Sequence, residues 1–340
     1  MLNIFVLFVF IFIFSSFLCQ KSELEIQIDS LLAIKSDKPF NGIVLVGRND
    51  TIQFSKVVGY SDFSNSKLLS IKDQFIIGSI SKQFTAALVL QQYEKGNIQL
   101  DVPISLYLPE LPLSWKDSVT VHQLLTHTHG ITDVNEQLEF ISGTQFHYSQ
   151  IGYNLLAKII EKTSKKTFAT LSNELFDKCQ MKNTFHPDNI DHKKIVNSYF
   201  EQENGEIIIE TESFQNFPAA GSFVSTAEDL LVWNNCFYGE KILKQETMGL
   251  LTTKQKGAVR DHPIFGKTEY GYGITTTNSN GVLQYGQTGF APGFVSMNYY
   301  FPESKTSVIV LENIAYNTQD LKKTFHYHVG ILELVQLWLK

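Results

Sequence analysis

Positive charge is scarce in this sequence and nowhere concentrated. The 340 residues hold 28 Lys and Arg against 34 Asp and Glu, a formal net charge of -6, and only 18% of the chain is charged. With no basic run or stripe to neutralise a phosphate backbone, nucleic acid is excluded as a partner class. Low-complexity linkers, an internal repeat period and long charge blocks are also missing, so the body reads as one compact globular unit. No Gly-x-Ser-x-Gly element occurs, which removes the nucleophile elbow of the α/β-hydrolases. His127 and His129 stand two apart without a matching set of ligands nearby, so no metal site is expected, and no cofactor is implied.

Cysteine is nearly as sparse, with Cys19, Cys179 and Cys236. Cys19 closes an apolar N-terminus in which Ile4 to Phe14 is unbroken and Ser15, Ser16, Phe17 and Leu18 precede polar Gln20-Lys21-Ser22-Glu23. That run is short of the roughly 20 residues a membrane span needs. Residues 1–19 are therefore read as a secretory signal, and the expected location is secreted, periplasmic or otherwise extracytoplasmic. No Lys or Arg precedes the run and no Ala-x-Ala site follows it. An uncleaved anchor thus stays open, as does a lipid anchor at Cys19 behind bulky Leu18; membrane contact is expected only if this segment is retained. Cleavage would leave Cys179 and Cys236, for which a disulfide and two buried free thiols are both open. Asn49-Asp50-Thr51 is a glycosylation acceptor pattern in the turn expected between two strands, relevant only in a eukaryotic host.

What is present is a nucleophile pattern. In Gly78-Ser79-Ile80-Ser81-Lys82-Gln83-Phe84-Thr85-Ala86-Ala87, an extended apolar segment (Phe75, Ile76, Ile77) gives way to a helix. Residues at i and i+3 share a helical face, so the Lys82 amine can reach the Ser79 hydroxyl. A desolvated lysine is a base able to activate a serine, and the helix start favours developing negative charge. Ser64-Asn65-Ser66-Lys67 has the same spacing in a polar Ser/Asn stretch without a helical period, so it reads as a turn. The Ser79 copy is followed by Phe84, Ala87, Leu88 and Leu90 through Tyr93, an amphipathic helix ending near Gly96.

Around it, Glu23 to Ile34 reads as a helix, and Gly42–Gly47 with Ile52–Val58 as a hairpin. Asp101 to about Phe214 is mostly helical, with a clear amphipathic segment over Gly152–Lys162. Glu228 and Asp229 begin a helix capped by Ser225-Thr226. Strands return at Leu283–Gly286, Gly293–Tyr300 and Ser307–Leu311, and a last helix covers about Gln319 to Leu339. Strands at both chain ends enclosing a helical middle predict one antiparallel sheet built from the two ends. The predicted division is an α/β lobe of residues 20–95 and 215–340 and a helical lobe of residues 96–214. Ser79 then lies at their boundary, where clefts form.

The ordered set of segments resembles the serine beta-lactamase/penicillin-binding superfamily, in its class C-like branch. It comprises Phe75–Ala87, Gly96–Asp101, Tyr107–Pro112, Val119–Gly130, Tyr148–Tyr153, Ala219–Leu230 and Gly286–Phe294, and spans nearly the whole chain after residue 19. The resemblance implies an α/β plus all-α, beta-lactamase/transpeptidase-like fold. It implies Ser79 as acylating nucleophile, Lys82 as its proton partner and Tyr148 as proton shuttle to the leaving group and then from water. It also implies an oxyanion hole from the backbone N–H groups of Ser79 and Phe290, and Gln150, Gln287, Thr288 and Gly289 as substrate contacts. The Leu-Leu-Thr-His-Thr segment through His127 resembles scaffolding. Tyr270-Gly271-Tyr272-Gly273 either lines the cleft or forms a strand edge.

Two positions depart from the pattern. Gln150 stands where asparagine is expected, one methylene longer with the same donor and acceptor. Gln287 stands where lysine or histidine is usual, and a neutral amide binds a substrate carboxylate more weakly than a cation does. Both argue against efficient beta-lactamase action. The expected activity is an exported esterase, amidase or peptidase acting on a small-molecule or peptide ester or amide through a Ser79 acyl-enzyme. A non-catalytic binding or self-assembling protein on the same fold is the rival, and a true beta-lactamase or D,D-carboxypeptidase a further alternative.

Overall fold

The computed structural model describes residues 22–189, 195–211, 217–279 and 281–340. The segment 1–19, read above as a signal or anchor, lies outside them. Among the described residues no helix is long and apolar enough to cross a membrane.

The centre is an eight-stranded antiparallel sheet. Its spatial order is Thr51–Val58, Gly42–Arg48, Thr306–Glu312, Phe294–Phe301, Val282–Ala291, Thr275–Ser279, Gly266–Tyr270, Val259–His262. The first and last parts of the chain meet where Ile43 pairs with Leu311 and Leu45 with Ile309. Gly42–Arg48 is apolar at almost every position because both of its faces are covered. Ile43, Leu45, Ile309 and Leu311 join the core shared with the helical side. Val44, Val46, Val308 and Val310 join a second core under the terminal helices Glu23–Leu32 and His326–Trp338. Each such side chain contributes roughly 1.5–3 kcal/mol by leaving water.

The helix that follows Ser79, Ser81–Glu94, is buried almost all round rather than along one stripe. It runs between the sheet and the helices Gln150–Ser164 and Phe168–Cys179, so it has no solvent side to keep polar. Phe84 is boxed edge-on by Phe176, Phe223 and Trp233, with ring centroids 5.0, 5.3 and 4.6 Å away. Two polar side chains on the helix find partners within the core, though Gln83 Nε2 is buried without one. Gln83 Oε1 accepts from Trp233 Nε1 at 2.8 Å, and Thr85 Oγ1 donates to Ala219 O at 2.6 Å.

Several sequence expectations meet the structure with small shifts. Ser64–Ser66 lies in a turn, with Ser66 at φ +52°, and Lys67 opens the short strand Lys67–Leu68. Thr226 caps the helix Ala227–Phe237 by accepting from the Asp229 amide. The last helix is interrupted at Phe325, giving Leu321–Thr324 and His326–Trp338. Within the stretch read as helical, Tyr199–Glu201 and Ile207–Ile209 form a small hairpin whose first strand runs parallel to Ile314–Ala315. The three strands between Val259 and Ser279 extend the sheet beyond the predicted ends. Cys179 and Cys236 are joined in a disulfide, tying the end of Phe168–Cys179 to Ala227–Phe237. The open choice between bridge and free thiols is thereby settled.

Candidate active site

Ser79 sits in a single 3-10 turn, Gly78–Ile80, between the short strand Phe75–Ile76 and the helix Ser81–Glu94. Gly78 and Ile80 are buried while Ser79 is only half-buried, so Ser79 is the one residue of the turn that keeps part of its surface open. Gly78 has φ +52°, and a Cβ there would lie 2.5 Å from the Phe290 amide nitrogen. The chain needs glycine here on both counts: a left-handed backbone and close approach of a second strand. The opposite wall is equally tight, since a Cβ on Gly289 would lie 2.1 Å from Ile77 O. Ser296 Oγ donates to the same Ile77 carbonyl at 2.8 Å. The turn is thus clamped against the strand Val282–Ala291, with the Phe290 N–H beside the Ser79 turn.

Lys82, one helical turn on, is fully buried. Its Nζ lies 3.2 Å from Ser79 Oγ, 2.7 Å from Gln150 Oε1 and 2.8 Å from Ala220 O. Burial pulls the amine below its ordinary value; the Tyr148 phenol opposes this, and the Arg260 guanidinium adds to it. Tyr148 lies just before the helix Gln150–Ser164, with Lys82 Nζ 4.7 Å from its ring centroid. Burial works to raise the phenol. The charge of Lys82, then that of Arg260, and hydrogen bonding with Ser79 and Lys82 outweigh it and hold the phenol below the usual tyrosine value.

The loop carrying Tyr148 is braced by His127. The His127 carbonyl accepts from the His147 amide at 2.9 Å and its Nδ1 accepts from the Ser149 amide at 3.2 Å. Its ring packs 4.4 Å from the Tyr148 ring and 5.1 Å from those of Tyr153 and Tyr270. Burial, then the charge of Lys82, puts His127 well below the ordinary histidine value, so the imidazole is neutral. His129 is likewise lowered, by burial and then by His147, to about 3; its Nδ1 accepts from the Ile131 amide at 2.9 Å. Among the described residues these two histidines belong to no cluster suited to a metal ion.

The structure brings Ser79, Lys82, Tyr148, Gln150 and Gln287 together, but the two glutamines face inward. Gln150 points its oxygen at Lys82. Gln287 is fully buried, its Nε2 3.1 Å from the Tyr270 hydroxyl and 3.4 Å from that of Tyr148. Thr288 Oγ1 lies 3.4 Å from His262 Nε2. Of the Tyr270–Gly273 segment, Tyr270 lines the site, whereas Tyr272 turns away to His122 Nδ1 at 2.8 Å.

Sequence reasoning missed Arg260. This residue, on the edge strand Val259–His262, sets its guanidinium carbon 4.2 Å from the Tyr148 ring centroid. A signal was present in the sequence: Arg48 and Arg260 are its only arginines. No spacing rule connects position 260 with position 148, so only the sheet reveals their meeting.

A mixed body of helices on a large antiparallel sheet, with a Ser-x-x-Lys turn where the two sides meet, defines the beta-lactamase/transpeptidase-like fold. Residues 36–332 match the family described as Beta-lactamase, and the chain belongs to that family. PbpX of Bacillus subtilis (strain 168) is 24% identical over 311 residues, which are 82% of this chain and 72% of that protein. Among solved structures, the D-amino acid amidase from Ochrobactrum anthropi SV3 complexed with L-phenylalanine aligns with a TM-score of 0.80. That alignment has 20% identity and covers 94% of this chain and 100% of the other. The octameric penicillin-binding protein homologue from Pyrococcus abyssi aligns with a TM-score of 0.73 and 24% identity, over 81% of this chain and 70% of that one. At these identities the solved structures establish the fold.

Proposed function

We propose that the protein is an exported serine hydrolase that forms an acyl-enzyme on Ser79 and then hydrolyses it. The observation that carries this reading is the environment of Lys82. Two of its three close neighbours, Gln150 Oε1 and Ala220 O, are acceptors only. A neutral amine has two N–H groups for those oxygens, which leaves its lone pair for the Ser79 hydroxyl. Burial favours this neutral form. Ser79 Oγ then attacks a substrate carbonyl while its proton passes to Lys82 Nζ. The oxyanion is met by the Ser79 and Phe290 N–H groups. Tyr148 delivers a proton to the departing amine or alcohol and regains one from Lys82; in the second half it passes its proton to Lys82 Nζ as it takes one from the attacking water, and Lys82 returns a proton to Ser79 Oγ as the acyl bond breaks.

Small amides or esters are the proposed substrates. Fold neighbours include proteins named as a D-amino acid amidase and a D-stereospecific amidohydrolase. Gln287 brings no charge to the cleft, which favours acyl groups other than those of penicillins. The Cys179–Cys236 bridge supports export, since such bonds persist in oxidising compartments. Labelling with a fluorophosphonate and with a fluorescent penicillin tests the proposal. Ser79-dependent labelling by the phosphonate, lost in Ser79→Ala, is expected, followed by turnover in a panel of amino-acid amides and esters. Absence of any Ser79-dependent adduct would overturn it.

A further inference from the structure

Arg260 stands outside the set of residues that the acyl-transfer steps use, yet it is built into their centre. Its Nη1 is buried and has no hydrogen-bond partner. What faces the guanidinium instead is the ring of Tyr148, with Cζ 4.2 Å from the centroid. A planar guanidinium stacks on an aromatic face in this manner and keeps its charge at every pH at which proteins fold. Lys82 Nζ is 4.7 Å from the same ring. The guanidinium and the Lys82 amine therefore converge on one phenol, and among the described residues neither forms an ion pair.

The other groups around the phenol do not offset this charge. His127 and Gln287 are neutral, and Tyr153 and Tyr270 are raised well above the ordinary value, chiefly by burial, so they stay protonated. His147, next in sequence, is paired with Glu139 at the exposed rim. The family pattern expects a cation at position 287, where this chain has an amide. The structure supplies one from the neighbouring edge of the sheet instead.

We propose that Arg260 is the fixed cation of this site, a positioning residue that acts through Tyr148 to drive a second proton off the Lys82–Tyr148 pair near neutral pH and leave the one proton that the two groups share. The inference rests on Lys82 and Tyr148 working as the proton-transfer pair of the proposed hydrolase. Electrostatics agree in sign: Arg260 acts to lower both Lys82 and Tyr148. Because the two groups are coupled, the titration belongs to the pair rather than to either residue. Removing the guanidinium should raise the pair's apparent pKa, whereas a structural role alone would not move it.

The experiment compares the wild type with Arg260→Gln and Arg260→Lys by two readouts. The first is the pH profile of acylation by a small neutral fluorophosphonate. In Arg260→Gln the acid limb should move up by about one pH unit or more, so the rate falls about tenfold at pH 7 and recovers at alkaline pH. Arg260→Lys, which keeps the charge, should move it less. The second is the carbon-13 resonance of the Tyr148 ring, assigned with Tyr148→Phe and titrated in a Ser79→Ala background. Its midpoint should rise in Arg260→Gln, and this readout holds even for a chain that hydrolyses nothing. An unchanged midpoint, or an equal loss of acylation at every pH, would overturn the proposal. So would a loss confined to penicillin-type probes bearing a carboxylate, which would make Arg260 a substrate receptor.

Discussion

Gln150 Oε1 accepts a 2.7 Å hydrogen bond from Lys82 Nζ. The residue that stands where asparagine is expected therefore turns its amide oxygen to the lysine. Gln150→Leu removes an acceptor from a buried amine, a defect worth about 1–3 kcal/mol. Fluorophosphonate acylation is expected to slow about ten- to a hundredfold with Ser79 still in place. A wild-type rate in this variant would show that the amide does not orient Lys82.

Gly78 tests the other side of the nucleophile. Gly78→Ala forces a Cβ to within 2.5 Å of the Phe290 nitrogen and puts a side chain at φ +52°. Spreading the turn from the strand would separate the Ser79 and Phe290 N–H groups. Loss of one oxyanion donor costs about 10²–10³ in rate, and the left-handed backbone costs about 1–2 kcal/mol. A folded protein with a modestly lowered melting temperature and acylation reduced at least about a hundredfold is expected. Normal acylation would remove Phe290 from the site.

How much of this was legible in the sequence depends on where each signal is stored. Ser79, Lys82 and the cap at Thr226 are local patterns, and their partners lie within one helical turn. Gly42–Arg48 announced itself by an apolar run that only double-sided burial explains. The strands Val259–His262, Gly266–Tyr270 and Thr275–Ser279 gave no such signal, because Thr275-Thr276-Thr277-Asn278-Ser279 alternates polar with polar. With those strands unseen, Arg260 had no address. The inward turn of Gln150 and Gln287 was equally hidden, since it is decided by what surrounds each amide rather than by its type.

The second core carries a buried acid beside a buried base. Glu312 Oε2 lies 3.3 Å from His328 Nδ1, both side chains being almost fully buried. Burial raises the Glu312 carboxyl well above 4.5. The folded chain keeps a proton that the unfolded chain releases above that value, so this group's contribution falls as pH rises through the interval. Burial lowers His328 to about 3, so the unfolded chain gains a proton below 6.5 that the folded chain refuses. Its contribution therefore falls as pH drops. Glu312→Gln should remove the alkaline loss, about 1.4 kcal/mol per pH unit across the interval. Melting curves should show a gain at pH 8 and little change at pH 4; equal shifts at both would discount the carboxyl.

The Cys179–Cys236 bridge closes a loop of 57 positions between two helices that pack around the nucleophile helix. Chain-entropy arguments give such a bridge about 4 kcal/mol. The double variant Cys179→Ser, Cys236→Ser should lose several degrees in melting temperature and fold poorly without changing the acid limb of acylation. A shifted pH profile would mean that the bridge also sets the geometry of Lys82.

The clamp on the nucleophile turn has a consequence for synthesis. Ser79 leaves the ribosome early, but its turn is held by Ser296, which bonds the Ile77 carbonyl 219 positions before it, and by Val224–Ser225 pairing with Phe75–Ile76. Such long-range closure comes late in folding. A nascent or truncated chain therefore carries the serine without its pocket, and hydrolytic competence arrives only with the last strands of the sheet.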